Sequence, residues 1–383
     1  MPKGKKINLE RLQSSFIQLV KIDSPSRHEG QIATFIRRWF EKEFPKATIL
    51  EDSSSVGTGS SVGNLIIKIP ANIEKEPIFF NAHMDTVEPG RGVRPVFQNG
   101  VFKSDGTTIL GADDKAAIAI IFEALLVLKE QHLKHGLIEL IFTTCEEIGL
   151  LGAKNLDVSL IDAKAGIALD SEDPDQVINR APSAIRFQAN IHGLSAHAGL
   201  NPEQGISSIK VAATAIAKAP QGRVDHETTC NIGIIKGGVA TNIVPELTVV
   251  EGEVRSHNEK ILRKIQDEII GCFYQAAEEF KNSQNNSYPY VTVTVEDDYP
   301  LMYVPESHKI IDSIMKAGKN LGRNLKLVKT GGGSDANILN QKGLSTIILG
   351  IGMDKVHTTN EQISLSDMEK TAQLLLELID IWE

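Results

Sequence analysis

Uninterrupted apolar runs alternate along this chain with stretches in which apolar residues return every three or four positions. Runs at 78–82, 137–145, 165–169 and 345–351 lack the polar alternation of a half-exposed strand. They read as strands buried on both faces, as in a parallel sheet. The helical rhythm is clear at 8–21 and clearest at 116–129, where Ile118, Ile121, Phe122, Leu125 and Leu128 predict a helix with one buried face. Asp113 and Asp114 precede it, where the helix dipole favours negative charge.

The rhythm changes between about 181 and 296. Strict alternation at 185–191 predicts a half-exposed strand, followed by an Ala-rich helix at 206–218 and strands at 231–235 and 247–254. A helix from 259 to about 280 and a strand at 290–295 complete a β-α-β-β-α-β order, that of a ferredoxin-like unit. Helical 307–321, the run 345–351 and a last helix at 366–382 then restore the first pattern. The expected fold is therefore α/β. A mostly parallel sheet with helices on both faces forms a catalytic domain from 1–180 and 298–383, and a ferredoxin-like α+β lid, 181–297, is inserted in it. The Ser- and Gly-rich stretch 53–61 reads as a flexible loop.

With 383 residues, 41% of them apolar, the chain can bury one or two cores. A net charge of −9 argues against binding nucleic acid, which needs clustered Lys and Arg. Small or peptidic substrates fit better. Cys145, Cys230 and Cys272 match no disulfide or zinc-finger spacing and read as buried apolar residues in a reducing, cytoplasmic setting. Lys3, Lys5 and Lys6 read as a solvated tail, and no apolar run reaches membrane-spanning length.

Metal-grade side chains follow the apolar runs: His83 and Asp85, Glu146 and Glu147, Asp170, and His357, with Asp113 at the helix start. In open α/β sheets such positions converge at the carboxyl ends of the strands. The two-residue step from His83 to Asp85 lets a carboxylate reach behind a metal-binding imidazole and fix its tautomer. Asp113 can bridge two cations through its two oxygens, with Asp114 in reserve. Glu146 and Glu147 would repel each other unless a cation intervenes, so one should bind metal and the other handle protons.

Together, His83-x-Asp85, Gly111-Ala112-Asp113-Asp114-Lys115, Glu146-Glu147, Asp170 and His357 resemble the dinuclear zinc exopeptidase superfamily, which includes peptidase T, glutamate carboxypeptidase, aminoacylases and succinyl-diaminopimelate desuccinylase. The resemblance spans nearly the whole chain in order. Asp at 170 and the segment from His83 to Gly90 look most like bacterial peptidase T-like proteins, although Met84 and Ala117 depart from the tripeptidase pattern. The resemblance implies that His83 and Asp170 bind one zinc ion and Glu147 and His357 the other, with Asp113 bridging; cobalt or manganese would suit the same donors. It also implies that Glu146 is the general base acting on water between ions ~3.5–4 Å apart, and that His197, in Gly193 to Gly199, stabilises the oxyanion from a closing lid. Asn242, Arg255 and the loop residues Gly332, Gly333 and Ser334 would contact substrate, Arg255 through its planar fork. The implied reaction is release of N-terminal residues from short peptides. N-acyl amino acid deacylation or dipeptide hydrolysis uses the same site, while a non-catalytic binding protein would have lost a ligand or the base. An exposed edge of the lid sheet would allow a homodimer.

Overall fold

The computed structural model describes residues 6–281 and 287–383. Lys3 and Lys5 of the basic start lie outside these residues, and Lys6 is exposed. The chain divides into two compact units: one runs up to Arg180 and includes Met302–Thr330 and Ser334–Glu383, and the other comprises Ala181–Leu301 and Gly331–Gly333.

The first unit is built on a nine-stranded mixed sheet among the described residues. At its centre lie four neighbouring parallel strands, β1 (Ile78–His83), β2 (Ile138–Thr143), β3 (Ala165–Ala168) and β4 (Ser345–Leu349), in the order β2-β1-β3-β4. Every residue of β1, β2 and β3 is buried, as their mostly apolar character requires, and the polar Asn81, His83, Glu139 and Thr143 are buried with the rest. β2, β3 and β4 are one to three residues shorter than their apolar runs, whereas β1 continues one residue further to His83; Cys145 has left-handed backbone (φ 53°) and ends the run after β2.

The helix Ala112–Glu130 differs from its expected form. All residues from Ala112 to Leu128 are buried, so it has no solvated face. It packs on β1, on the helix Leu9–Val20 and on the last helix, Leu365–Ile381. Its polar position Glu123 is buried against Arg11, which donates through Nε at 2.6 Å and Nη2 at 3.0 Å, while the Asn8 amide donates at 2.7 Å. Periodicity missed this because small alanines fill the other face. The stretch 53–61 is also not an open loop: Ser55–Thr58 forms a helical turn, and Ser54, Thr58 and Ser60 are buried. Ser60 donates to Glu29 at 2.5 Å and Ser54 accepts from the Asn64 amide at 2.9 Å.

In the second unit the strands Gly222–Arg223, Thr228–Gly237, Leu247–Ser256, Ser183–His192 and Tyr290–Tyr299 form one antiparallel sheet in that spatial order. Setting aside the two-residue strand, this is the ferredoxin-like arrangement. The helices Ser208–Lys218 and Glu259–Glu279 close its core around Ile185, Phe187, Leu262 and Phe273. No helix among the described residues is long and apolar enough to cross a membrane.

Phe122, stacked on Trp39 with ring centroids 3.8 Å apart, anchors the buried helix. Phe122→Ala is expected to destabilise the first unit by about 3–5 kcal/mol in urea unfolding; a loss below about 1 kcal/mol would contradict the described packing.

Candidate metal centre

Parallel register brings the carboxyl ends of the central strands level, with His83 opposite Thr143 and Asn81 opposite Ala168. His83 ends β1, Glu146 and Glu147 follow β2, and Asp170 follows β3. His357 lies beyond β4 in a hairpin whose flanking residues pair Met353 with Ile363 and Asp354 with Gln362. Asp113 enters from the start of the buried helix, where it and Asp114 have non-helical backbone joined by a cis peptide. His357 (φ 61°), like Cys145, occupies the left-handed region that few non-glycine residues adopt, and such positions cluster at functional sites.

Asp113 stands between the two histidines. Its Oδ1 lies 2.9 Å from His83 Nε2 and its Oδ2 3.2 Å from His357 Nε2, while Glu147 Oε2 lies 2.9 Å from the same His357 nitrogen. Ligand atoms of His83, Asp113 and Glu147 all fall within 4.8 Å of one another. Asp170 belongs to the same charged group, since Asp113 and Glu147 both repel its charge.

Too much negative charge is gathered here for the local cations to balance. Burial, with repulsion from Asp113, pushes Asp170 up to about 7; burial, opposed by a hydrogen bond from Thr143, pushes Asp335 up to about 6. Burial raises Glu146 well above the ordinary carboxylate range, with Asp170, Asp335 and Glu147 adding to the effect, and it raises Glu147 as well. Asp113 alone is held low: its hydrogen bonds with His357 and His83 overcome the burial that would raise it. Its bond with Asp113, together with the one to Glu147, raises His357 to about 10. Among the described residues, Glu147 Oε1 and Asp114 Oδ1 find no hydrogen-bond partner although both are buried. A set of imidazole nitrogens and carboxylate oxygens with excess charge and an unpaired buried oxygen fits divalent metal ions.

Asp85 lies behind the imidazole as expected and does a second task. His83 Nδ1 is 3.5 Å from its carboxylate and 2.9 Å from its main-chain carbonyl. The carboxylate also accepts from the Glu146 amide at 2.9 Å, the Glu147 amide at 3.2 Å and the Ser26 hydroxyl at 2.6 Å. It therefore sets the turn that presents Glu146 and Glu147. Asp114 lies behind the site and accepts from the His83 amide at 3.1 Å.

In the second unit, His197 is exposed and its Nδ1 accepts from the Gly199 amide at 3.1 Å, which leaves the proton on Nε2. Asn242 is its neighbour: the Ala198 amide donates to the Asn242 carbonyl at 2.9 Å. Glu253 takes Nε and Nη2 of Arg255 at 2.9 and 3.0 Å, and Nη1 points to the Gly331 carbonyl at 3.4 Å. Gly333 has no room for a side chain, because a Cβ would meet the Tyr299 ring at 2.5 Å. Ser334, in the first unit, is buried and caps the helix Asp335–Gln341 by accepting from the Ala336 amide at 3.3 Å.

Sequence reasoning passed over Asp335, Glu29 and Glu361. Thr143 donates to Asp335, while Glu29 accepts from the Cys145 amide at 3.0 Å. Buried acids in a loop look like solvated ones in a sequence. The adjacency of Asp335 to Ser334 was the one available signal.

The pattern of peptidase family M20/M25/M40 matches residues 79–381. The chain belongs to this family. It is 41% identical over 376 residues to the YqjE protein of Bacillus subtilis (strain 168), covering 98% of this chain and 99% of that one. Among solved structures it is similar to aminopeptidase PepT from Bacillus cereus ATCC 10987, at 40% identity and TM-score 0.88. It is also similar to a tripeptidase from Staphylococcus aureus subsp. aureus Mu50, at 37% identity and TM-score 0.92. Both likenesses cover 98% of each chain.

Without a cation, the folded centre holds protons on Asp170, Asp335 and His357 that the unfolded chain releases at lower pH. Stability of the chelated protein should then fall as pH rises from about 5 to about 9. Metal binding strengthens over the same range as its ligands lose protons. The gap between the urea midpoints of zinc-saturated and chelated protein is expected to widen with pH; a constant gap would contradict this electrostatic reading.

Proposed function

We propose that this family M20 peptidase is a metal-dependent aminopeptidase that releases N-terminal residues from short peptides, tripeptides among them. The observation that carries the reading is Asp113, each of whose oxygens faces a different histidine, beside the paired acids Glu146 and Glu147. Likeness over 98% of the chain to structures described as an aminopeptidase and a tripeptidase supports this substrate class.

His83 and Asp170 would hold one zinc ion and Glu147 and His357 the other, with Asp113 between them; cobalt or manganese suits the same donors. When bound, the ions would polarise the scissile carbonyl and acidify water. Glu146 takes the proton from the attacking water and returns it to the departing amine. A buried carboxylate can do both, since the oxygen that accepts the proton can pass it on without losing it to bulk water. Asp85 holds the Glu146 backbone through its amide. His197, with its proton on Nε2, is the donor proposed for the oxyanion. Asn242, Arg255, Gly332, Gly333 and Ser334 remain the proposed substrate contacts, although Glu253 and the cap at Ala336 already engage Arg255 and Ser334.

Free-amine di- and tripeptides assayed beside their N-acetylated forms, with zinc and with chelator, test the substrate class. Cleavage restricted to the free-amine set and abolished by chelator is expected. Preference for acetylated substrates would make the enzyme a deacylase instead. Glu146→Gln should lower kcat by about 10²–10⁴-fold with metal content unchanged, and retention of most turnover would remove Glu146 from the role of base.

A further inference from the structure

Glu361 is 1% exposed and lies in the same hairpin as His357, four residues further on. Among the described residues its carboxylate has no close ion pair, although it feels the charge of the buried Lys115. Instead Oε2 accepts from the amides of Leu110 at 2.7 Å and Gly111 at 2.8 Å, and Oε1 accepts from the amide of Asp113 at 3.0 Å. These amides belong to the irregular segment entering the buried helix, where Gly111 has φ 77° and Asp113 and Asp114 are non-helical. No strand or helix ladder holds this segment, so its donors need another acceptor.

We infer that Glu361 is a positioning residue for the metal centre, clamping the Asp113 backbone to the hairpin that carries His357 and so coupling the two proposed metal positions. This rests on the metal-centre reading above. The reasoning is geometric. His83 ends β1 and Glu147 sits in the turn after β2 that Asp85 holds, but Asp113 and His357 lie on irregular backbone far apart in sequence, and their mutual placement decides whether Asp113 can face both histidines. Three charge-assisted hydrogen bonds from one buried carboxylate tie those two segments together, and a neutral amide cannot replace them: Gln offers one oxygen, so its NH2 would confront at least one backbone N–H.

Glu139 supplies the comparison. It is buried in β2 and likewise grips backbone, accepting from the Asp162 amide at 3.0 and 3.1 Å and the Ala163 amide at 2.7 Å, but it holds no loop that carries a proposed ligand. Calorimetric titration of metal-stripped protein with Zn2+ would compare wild type, Glu361→Gln, Glu361→Asp and Glu139→Gln. Wild type and Glu139→Gln should bind two ions with like affinity, whereas Glu361→Gln should bind at least one ion about 10–100-fold more weakly. Glu361→Asp, which keeps both oxygens, should lose less, and if Glu361→Gln does not fold, a loss in Glu361→Asp that Glu139→Gln lacks carries the inference. Unchanged zinc affinity in the foldable Glu361 variants, or an equal loss in Glu139→Gln, would overturn it. Absence of zinc binding by wild type would instead overturn the metal-centre reading itself.

Discussion

The first unit depends on one electrostatic constraint: several carboxylates are buried together at the carboxyl ends of a parallel sheet with only imidazoles among them to offset the charge. Isolated ionised carboxylates are not stable in such surroundings, so each must find a proton, a hydrogen-bond donor or a cation. Protons and imidazole partners serve some of them, and one oxygen has neither. Asp170, Asp335 and Glu146 are driven towards the protonated form; Asp113 keeps its charge by facing two imidazoles; Glu147 keeps one oxygen without any partner. A divalent metal centre would relieve all of these at once, which is why the charge surplus is a stronger sign of metal than any single ligand pair.

A second set of buried acids does different work. Glu29, Asp85 and Glu361 direct their oxygens at backbone amides of the turns carrying Glu146, Glu147 and Asp113, turns that leave the strands through left-handed or non-helical residues. The sheet's own ladders stop before these turns. Carboxylates replace them with charge-assisted bonds, stronger than those a neutral carbonyl would make. Regular strands thus set where the ligand loops begin, and buried acids set how those loops end.

This division explains what the sequence could reveal. The central strands were legible because unbroken apolar runs admit few other readings, and the ferredoxin-like order of the second unit was legible from its change to alternation. Asp113, Glu146, Glu147 and His357 stood out because paired acids and histidines at run ends are unusual. The full burial of the helix Ala112–Glu130 was hidden by alanines, which score weakly as apolar yet pack closely. The fold of 53–61 was hidden because its order comes from Glu29 and Asn64, both remote in sequence. Glu361 was invisible for the same reason: its partners lie some 250 positions away.

Asp85 carries the point furthest. Its spacing from His83 suggested a carboxylate serving an imidazole; the carboxylate does lie 3.5 Å from His83 Nδ1, but the main-chain carbonyl is nearer, at 2.9 Å. The same carboxylate also holds two consecutive amides, those of the proposed base and of a proposed ligand. A short backbone step fixes which atoms are near one another but not which of them forms the bond; that is decided by where unsatisfied donors lie. Here the turn after β2 supplies donors that no strand can reach, and the strongest nearby acceptor goes to them. The positions of acids in a sequence can therefore locate a metal centre, while their division between holding metal and holding backbone is set by the hydrogen-bond needs of the loops around it.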